Sequence, residues 1–285
     1  TMKIVNHRTR RRLSFAGRYG LHLAWLVVCV LPVVVLVMAS LKTTSIFQSI
    51  PQIFSLSGFT LENYRTAISA GNFFLYLRNS AIISLSARVV VLAVCTPMAY
   101  GITRLRSVRQ KNIVVFSVLS TRFLPYVVIA LPMFIMFRQI GMSGTLFAVV
   151  MAHLAMQMPL IIWLMLGFFS GVPIEVEESA VIDGCTPFQT FWRVSLPMVL
   201  PGLNASAILA LIISYNEFLF AFFLAGRNTQ PLTVGIQRFV GGVEVGAQYG
   251  VVAAYGSMII VPIILFALVV NRYIVSGLTQ GAVKG

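Results

Sequence analysis

The chain has 285 residues, of which 58% are hydrophobic and 10% charged, with 21 Lys and Arg against 7 Asp and Glu for a net charge of +14. A soluble domain covers its surface with charge on roughly a quarter of its residues, so this composition excludes one and puts the chain in a bilayer. The basic excess invites a nucleic-acid partner, but its distribution along the chain answers to topology instead.

Windows of about 20 apolar residues, enough to cross a hydrocarbon core of about 30 Å, occur at 19–41, 74–102, 112–137, 144–169, 200–224 and 251–274. Runs of this length predict an all-α polytopic membrane protein with about six transmembrane helices, because barrel strands are about ten residues long and alternate. The chain divides into a basic N-terminal segment (1–18), a transmembrane domain (19–276) holding a polar segment at 172–198, and a C-terminal tail (277–285). The first apolar run is longer than the roughly 7–15 residues of a signal peptide, and no clear small-residue cleavage site follows it. It is expected to remain in the mature protein, while Thr1 ahead of Met2 reads as an expression remnant.

With six spans, one side of the membrane holds Lys3, Arg8, Arg10, Arg11, Arg12, Arg18, Arg104, Arg106, Arg109, Lys111, Arg193, Arg272 and Lys284. The other holds Lys42, Arg65, Arg78, Arg138, Arg227 and Arg238. Thirteen against six makes the first side cytoplasmic by the positive-inside rule, with both termini and the 172–198 segment on it. The basic residues lack the interleaved aromatic platform of single-strand binders, which argues against nucleic acid. Cys29, Cys95 and Cys185 are isolated, and His7, His22 and His153 equally so. Neither a disulfide framework nor a metal site is expected, and His153 reads as a hydrogen-bonded packing residue.

Arg88, Arg122 and Glu217 fall inside spans, where charge is expensive and faces the protein interior or a water-filled path. At 1.5 Å per residue Arg122 lies about 15 Å into the third span and Glu217 about 25 Å along the fifth. Two roles stay open for them, structural pairing or gating on one hand and solute contact on the other. Tyr215, Asn216 and Phe218 are weaker pathway candidates, as aromatic faces and amides recur in sugar sites. Pro125, Pro132, Pro159 and Pro262 are expected to kink their spans.

The 172–198 segment reads as two short helices. Pro173 suits a first helical position, and Glu175, Glu177 and Glu178 occupy the first turns, where carboxylates complement the helix dipole. Gly184 supplies a left-handed C-terminal cap, and Thr186, Pro187 and Gln189 form a capping box for a second helix. That helix carries Phe188, Phe191 and Trp192 as an apolar stripe and is expected to stop before Pro197. In the first helix Ile174, Val176, Val181 and Ile182 interleave with the acids around the circumference. The residues leave two readings open, an ordinary capped loop helix or a lever gripped on several sides by a partner.

The spacing Glu178-Ser179-Ala180, then Gly184, then Val194-Ser195-Leu196-Pro197 resembles the EAA signature of ABC importer permeases, with Ser179 for Ala and Val194 for Ile. Asn216-Glu217-Phe218 resembles a run of the carbohydrate-uptake branch, typified by the smaller permease of maltose-type transporters, with Tyr215 where Trp is usual. The tail Gly277-Leu278-Thr279-Gln280-Gly281-Ala282-Val283-Lys284-Gly285 resembles that branch's ending, with Gln280 where Ala is common. The resemblance implies a cytoplasmic coupling helix in which Glu178, Ser179, Ala180, Asp183, Gly184, Leu196 and Pro197 couple to an ATPase. It implies as partners a second permease subunit, two ATP-binding cassette ATPases carrying ATP and Mg, an external substrate-binding protein, the lipid bilayer, and a sugar or oligosaccharide solute. It implies the bacterial inner membrane as location.

No Gly-x-x-x-x-Gly-Lys-Ser/Thr loop occurs, so no ATP site, cofactor or catalytic residue is expected in this chain. An ion-gradient-driven carrier remains an alternative, as do a membrane scaffold and, within the branch, a permease for glycerol-phosphate-type solutes. None of the first two predicts the EAA spacing.

Overall fold

The computed structural model describes residues 7–42, 58–70, 72–240 and 248–282. Among them the backbone is helical between loops, and the only β pairing is two isolated bridges, Lys42 with Phe59 and Gly144 with Ala225. Two compact units are formed, Thr1–Gly71 with Ile236–Ile260, and Asn72–Gly235 with Val261–Gly285.

In the first unit, α1 (His7–Ser40) contains the first span, whose Leu21, Trp25, Leu26 and Leu31 are exposed, as the apolar face of a lipid-facing helix is. Its C-terminal carbonyls need partners. The buried amide of Asn63, in α2 (Glu62–Ala70), donates to Ser40 O at 2.8 Å and Lys42 O at 2.7 Å. The start of α12 (Tyr249–Ala282) lies in the same unit, where Gly250 leaves room for Asn63: a Cβ there would come within 2.6 Å of its amide nitrogen. The helix of the sixth span therefore runs on through the expected tail as far as Ala282.

The second unit is built on α3 (Phe73–Thr103), α6 (Leu146–Ser170) and α9 (Leu200–Asn216). Ile83, Ala87, Val91, Cys95 and Ala99 repeat every four residues down one face of α3 and are fully buried. The small members of that row, Ala87, Cys95 and Ala99, let helices approach closely, which is how membrane helices associate when lipid removes the hydrophobic incentive. The helix α6 is the central member, the most buried of the candidate spans. Gly202 of α9 makes room for the Phe168 ring, which a Cβ would meet at 2.2 Å.

Two of the six expected spans are not continuous. The third is α4 (Val108–Ser120), a 3-10 turn (Thr121–Phe123) and α5 (Tyr126–Gln139), with the two halves bent by 92°. Pro125 has no N–H to continue the helix and holds Leu124 extended, at ψ 128°. The fifth ends at Asn216 and resumes as α10 (Leu219–Leu224). There the Glu217 carboxylate accepts from the N–H groups of Phe220 at 2.9 Å and Ala221 at 3.2 Å, capping α10 and competing with continuation of α9. Pro132, Pro159 and Pro262 are carried inside α5, α6 and α12.

The loop after α10 is stitched to the core. Asn79 donates to Asn228 O at 2.9 Å and Gln230 O at 3.0 Å, and Ser80 Oγ accepts from the Leu232 N–H at the start of α11 (Leu232–Gly235). Gly226 lies against the backbone of Gly144, itself at φ +80°, so that a Cβ on Gly226 would sit 2.8 Å from Gly144 O. Gly226→Val is accordingly expected to cost about 1–3 kcal/mol, the range of overpacked sites. Thermal unfolding in detergent checks it against Gly101→Ala, a helical site with open space that should be neutral or slightly stabilising.

Candidate coupling site

The segment after α6 folds as two short helices, α7 (Ile174–Ile182) and α8 (Pro187–Met198). Pro173 is the cap rather than the first helical residue, one position earlier than its spacing suggests. At the other end Gly184 adopts φ +89°, its N–H donates to Val181 O at 3.0 Å, and the Cys185 N–H reaches Ala180 O at 3.0 Å. This is a Schellman motif, which only a residue at ease in the left-handed region completes without strain. Thr186 then caps α8, its Oγ1 accepting from the Gln189 N–H at 3.3 Å while Gln189 Oε1 accepts from the Thr186 N–H at 2.8 Å.

The expected stop before Pro197 is not observed. Residues Phe191–Ser195 widen into a π-helical turn, and the helix passes through Pro197 to Met198 before turning 77° into α9. The wider turn accommodates a residue that brings no N–H to the helix and whose ring crowds the preceding turn.

The centre of the site is Glu177. Arg104, which closes the C-terminal end of α3, donates from Nε to Glu177 Oε2 and from Nη2 to Oε1, both at 2.6 Å. Ser195 Oγ donates to Oε1 at 2.6 Å, and Tyr100 Oη donates to Oε2 at 3.4 Å. The carboxylate side chain is 8% exposed and the guanidinium side chain 20%. A buried carboxylate with this many donors is held by geometry as well as charge, since the planar fork of Arg matches both oxygens. Burial by itself raises the Glu177 carboxyl, but the hydrogen bonds from Arg104, Ser195 and Tyr100 and the charge of Arg104 outweigh it and leave it below the ordinary carboxylate range. Arg104 is pushed up, first by its hydrogen bond to Glu177. Beneath the pair, the Tyr100 ring lies 5.4 Å from Phe169 and 5.0 Å from Phe191, so α3, α6 and α8 share one aromatic knot.

The residues singled out in the sequence sort around this clamp. Ala180 is buried beneath α7, and Leu196 is half-buried in α8. Glu178, Ser179, Asp183, Gly184 and Pro197 are exposed, with the Ser179 hydroxyl donating back to Glu175 O at 2.7 Å. Ile182 is 85% exposed and Phe188 72%, so the outward face of the segment is apolar as well as acidic. Glu177 and Arg104 as a pair escaped the sequence reading, which used one as a helix-dipole acid and the other as a topology marker. The signal was the three-residue step from Glu177 to Ala180, which puts that acid on the buried face.

The pathway candidates are not gathered in one place. Glu217 is paired with His153, whose Nε2 lies 3.1 Å from Oε2, and His153 Nδ1 lies 2.7 Å from Ser214 Oγ. Arg122 donates instead to Tyr126 Oη at 3.1 Å, and among the described residues no Arg122–Glu217 bridge forms. Arg88 is half-buried on α3, Tyr215 and Phe218 are half-buried, and the exposed Asn216 spends its amide on Ile212 O.

Residues 93–279 match the family described as the binding-protein-dependent transport system inner membrane component. The trehalose transport system permease protein SugB of Mycobacterium tuberculosis is 34% identical over 259 residues, covering 90% of this chain and 92% of that protein. The trehalose/maltose transport system permease protein MalG of Thermococcus litoralis is 31% identical, with 91% and 93% covered. In fold, the chain is similar to a crystal structure of a bacterial ABC transporter involved in the import of the acidic polysaccharide alginate, at a TM-score of 0.76, 20% identity, and coverage of 94% and 98%.

Because the folded-state pKa of Glu177 is depressed, the clamp stabilises the chain above the ordinary carboxylate range, and the contribution is lost as pH falls through the lower folded value. Glu177→Ala strands the Arg104 charge and is expected to cost about 3–5 kcal/mol. In pH-resolved thermal unfolding, the wild-type chain should lose stability below about pH 4, and that acid limb should be shallower in the variant. Arg104→Lys in a chain that keeps Glu177 should also lose stability, because a point charge cannot make the forked contact.

Proposed function

The chain belongs to the family of binding-protein-dependent transport system inner membrane components, and from that premise we propose that it is the permease subunit of an ATP-driven importer carrying a sugar or oligosaccharide across the cytoplasmic membrane. The observation that carries this reading is the two-sided build of α7 and α8. One side is clamped to the ends of α3 and α6 through Glu177, Arg104 and the Tyr100–Phe169–Phe191 knot. The other leaves Glu178, Ile182, Phe188 and Trp192 exposed among the described residues. An exposed apolar face with an acid at its rim is suited to a groove in a partner protein.

On this reading the partners are a second permease, two ATPase subunits that hold ATP and Mg, and an external binding protein, with both termini and the α7–α8 segment on the cytoplasmic side. Closure of the ATPases moves the paired coupling helices, and the forked Glu177–Arg104 contact passes that displacement to the spans without slack. The spans then alternate between two packed arrangements, as bistable cores do. The sugar assignment is supported by the trehalose and maltose systems named for the similar permeases.

A gradient-driven carrier fits the structure less well. Such carriers use ionisable groups that are free to change partners within the membrane. Glu217 is already committed to His153 and to capping α10.

Affinity purification of the tagged chain in mild detergent should recover a P-loop ATPase, a second permease and a binding protein. Replacing Glu178 and Gly184 together by Ala should lower uptake and binding-protein-stimulated ATP hydrolysis about tenfold or more, a loss of at least ~1.4 kcal/mol in coupling. Unchanged stimulation in that variant, or ATP-independent uptake by the chain alone in liposomes, would remove the coupling assignment.

A further inference from the structure

We propose that the groove between the start of α4 and the end of α6 is a binding site for one anionic phospholipid, with its phosphate at Lys111 and an acyl chain against Trp163 and Gly167. The proposal rests on the importer reading above only for orientation, which puts these helix ends on the cytoplasmic side. The groove has a volume of about 530 Å³, within the roughly 300–1,000 Å³ of small-molecule sites. Its polarity runs in one direction, because α4 leaves the cytoplasmic side where α6 returns to it. Lys111 and Asn112 near the start of α4, and Ser170 at the close of α6, form the polar end. Val115, one turn further along α4, and Trp163, seven positions before Ser170 and so about 10 Å back along α6, form the apolar end.

A phospholipid has this gradient in this order, a charged group at the membrane surface and hydrocarbon beneath it. A saccharide is polar along its whole length, and protein interfaces are depleted in lysine. Lysine and tryptophan near the end of a span are instead the marks of the lipid interface, the lysine stem lying on apolar surface while the ammonium stays among headgroups. The charge is complementary as well. Residues 104–120 carry Arg104, Arg106, Arg109 and Lys111 and no acid. Arg104 is spent on Glu177, while Arg106, Arg109 and Lys111 form no salt bridge among the described residues. The positive N-terminal end of α4 adds to their field. The cytoplasmic leaflet supplies anionic lipids, and basic pockets between membrane helices on that side hold their headgroups. Gly167 leaves the floor of the groove as bare helix, since a Cβ there would meet nothing within 4 Å. Beside it Trp163 is 52% exposed, an apolar surface for a chain to cover.

The test uses the assembled importer in nanodiscs that hold phosphatidylglycerol and phosphatidylcholine in equal amounts and with identical acyl chains, the retained lipid being counted by native mass spectrometry. The wild-type complex should retain phosphatidylglycerol over phosphatidylcholine. Lys111→Gln should lower that preference about fivefold, the share of one basic residue at an anionic surface, while Lys111→Arg keeps it. Gly167→Leu should displace the retained lipid from a chain that still folds, because the added side chain enters open space. Excess inorganic phosphate should not compete, and displacement by it identifies a site for soluble anions and overturns the proposal. Equal retention in the wild type, Lys111→Gln and Gly167→Leu overturns it too. Loss of the second permease from the Gly167→Leu complex has the same force, because the groove would then hold protein. A wild-type complex that keeps the phosphatidylglycerol preference yet contains no ATPase overturns the importer reading and leaves the lipid site standing.

Discussion

A carboxylate buried where membrane helices end must find its charge partner before the elements around it can pack, and Glu177 finds Arg104. Removing either from water is costly, and the cost is offset only when both oxygens are engaged in good geometry. The 2.6 Å fork from Arg104 and the 2.6 Å contact from Ser195 do that. Because the three groups come from α3, α7 and α8, satisfying one charge fixes the placement of a whole surface segment. The Schellman turn at Gly184 and the capping box at Thr186 depend on that placement for their purpose, since they set the angle between two helices whose inner faces are already anchored.

Within the spans the governing constraint is the absence of water. Each interruption of a helix leaves backbone groups that something else must satisfy. At Glu217 the side chain does so itself, by capping α10 and hydrogen-bonding His153, with Thr233 Oγ1 donating to Glu217 O at 2.7 Å. At Thr121–Pro125 the described residues supply no comparable cover, and all five residues, Arg122 among them, are exposed. The two breaks are chemically opposite. One is closed by its own side chain, and the other is exposed.

Much of this was legible in the residues. The apolar runs located the helices because 20 apolar residues have few alternatives to crossing a bilayer. The turn chemistry of Gly184 and of Thr186 with Gln189 was legible because caps are satisfied within a few positions of the chain. Pro125 marked the bend of the third span, whereas the break of the fifth was missed for the same local bias. Hydropathy does not register the extended backbone at Leu124 or the cap made by Glu217, since an apolar window looks the same whether its helix is whole or broken. Pro197 was read as a stop on the assumption of α-helical geometry, and the π-turn at Phe191–Ser195 removed that assumption.

What the sequence alone determined, then, is the class of protein, the outward acidic and apolar face of the 172–198 segment, and the caps that shape it. These follow from composition and from interactions between near neighbours. Only the tertiary structure decided which acid turns inward and what it meets. Glu177 and Arg104 are 73 positions apart, and Glu217 and His153 are 64 apart. Pairings at such separation are chosen by which helices pack side by side, and Arg122 meets only its near neighbour Tyr126 among the described residues.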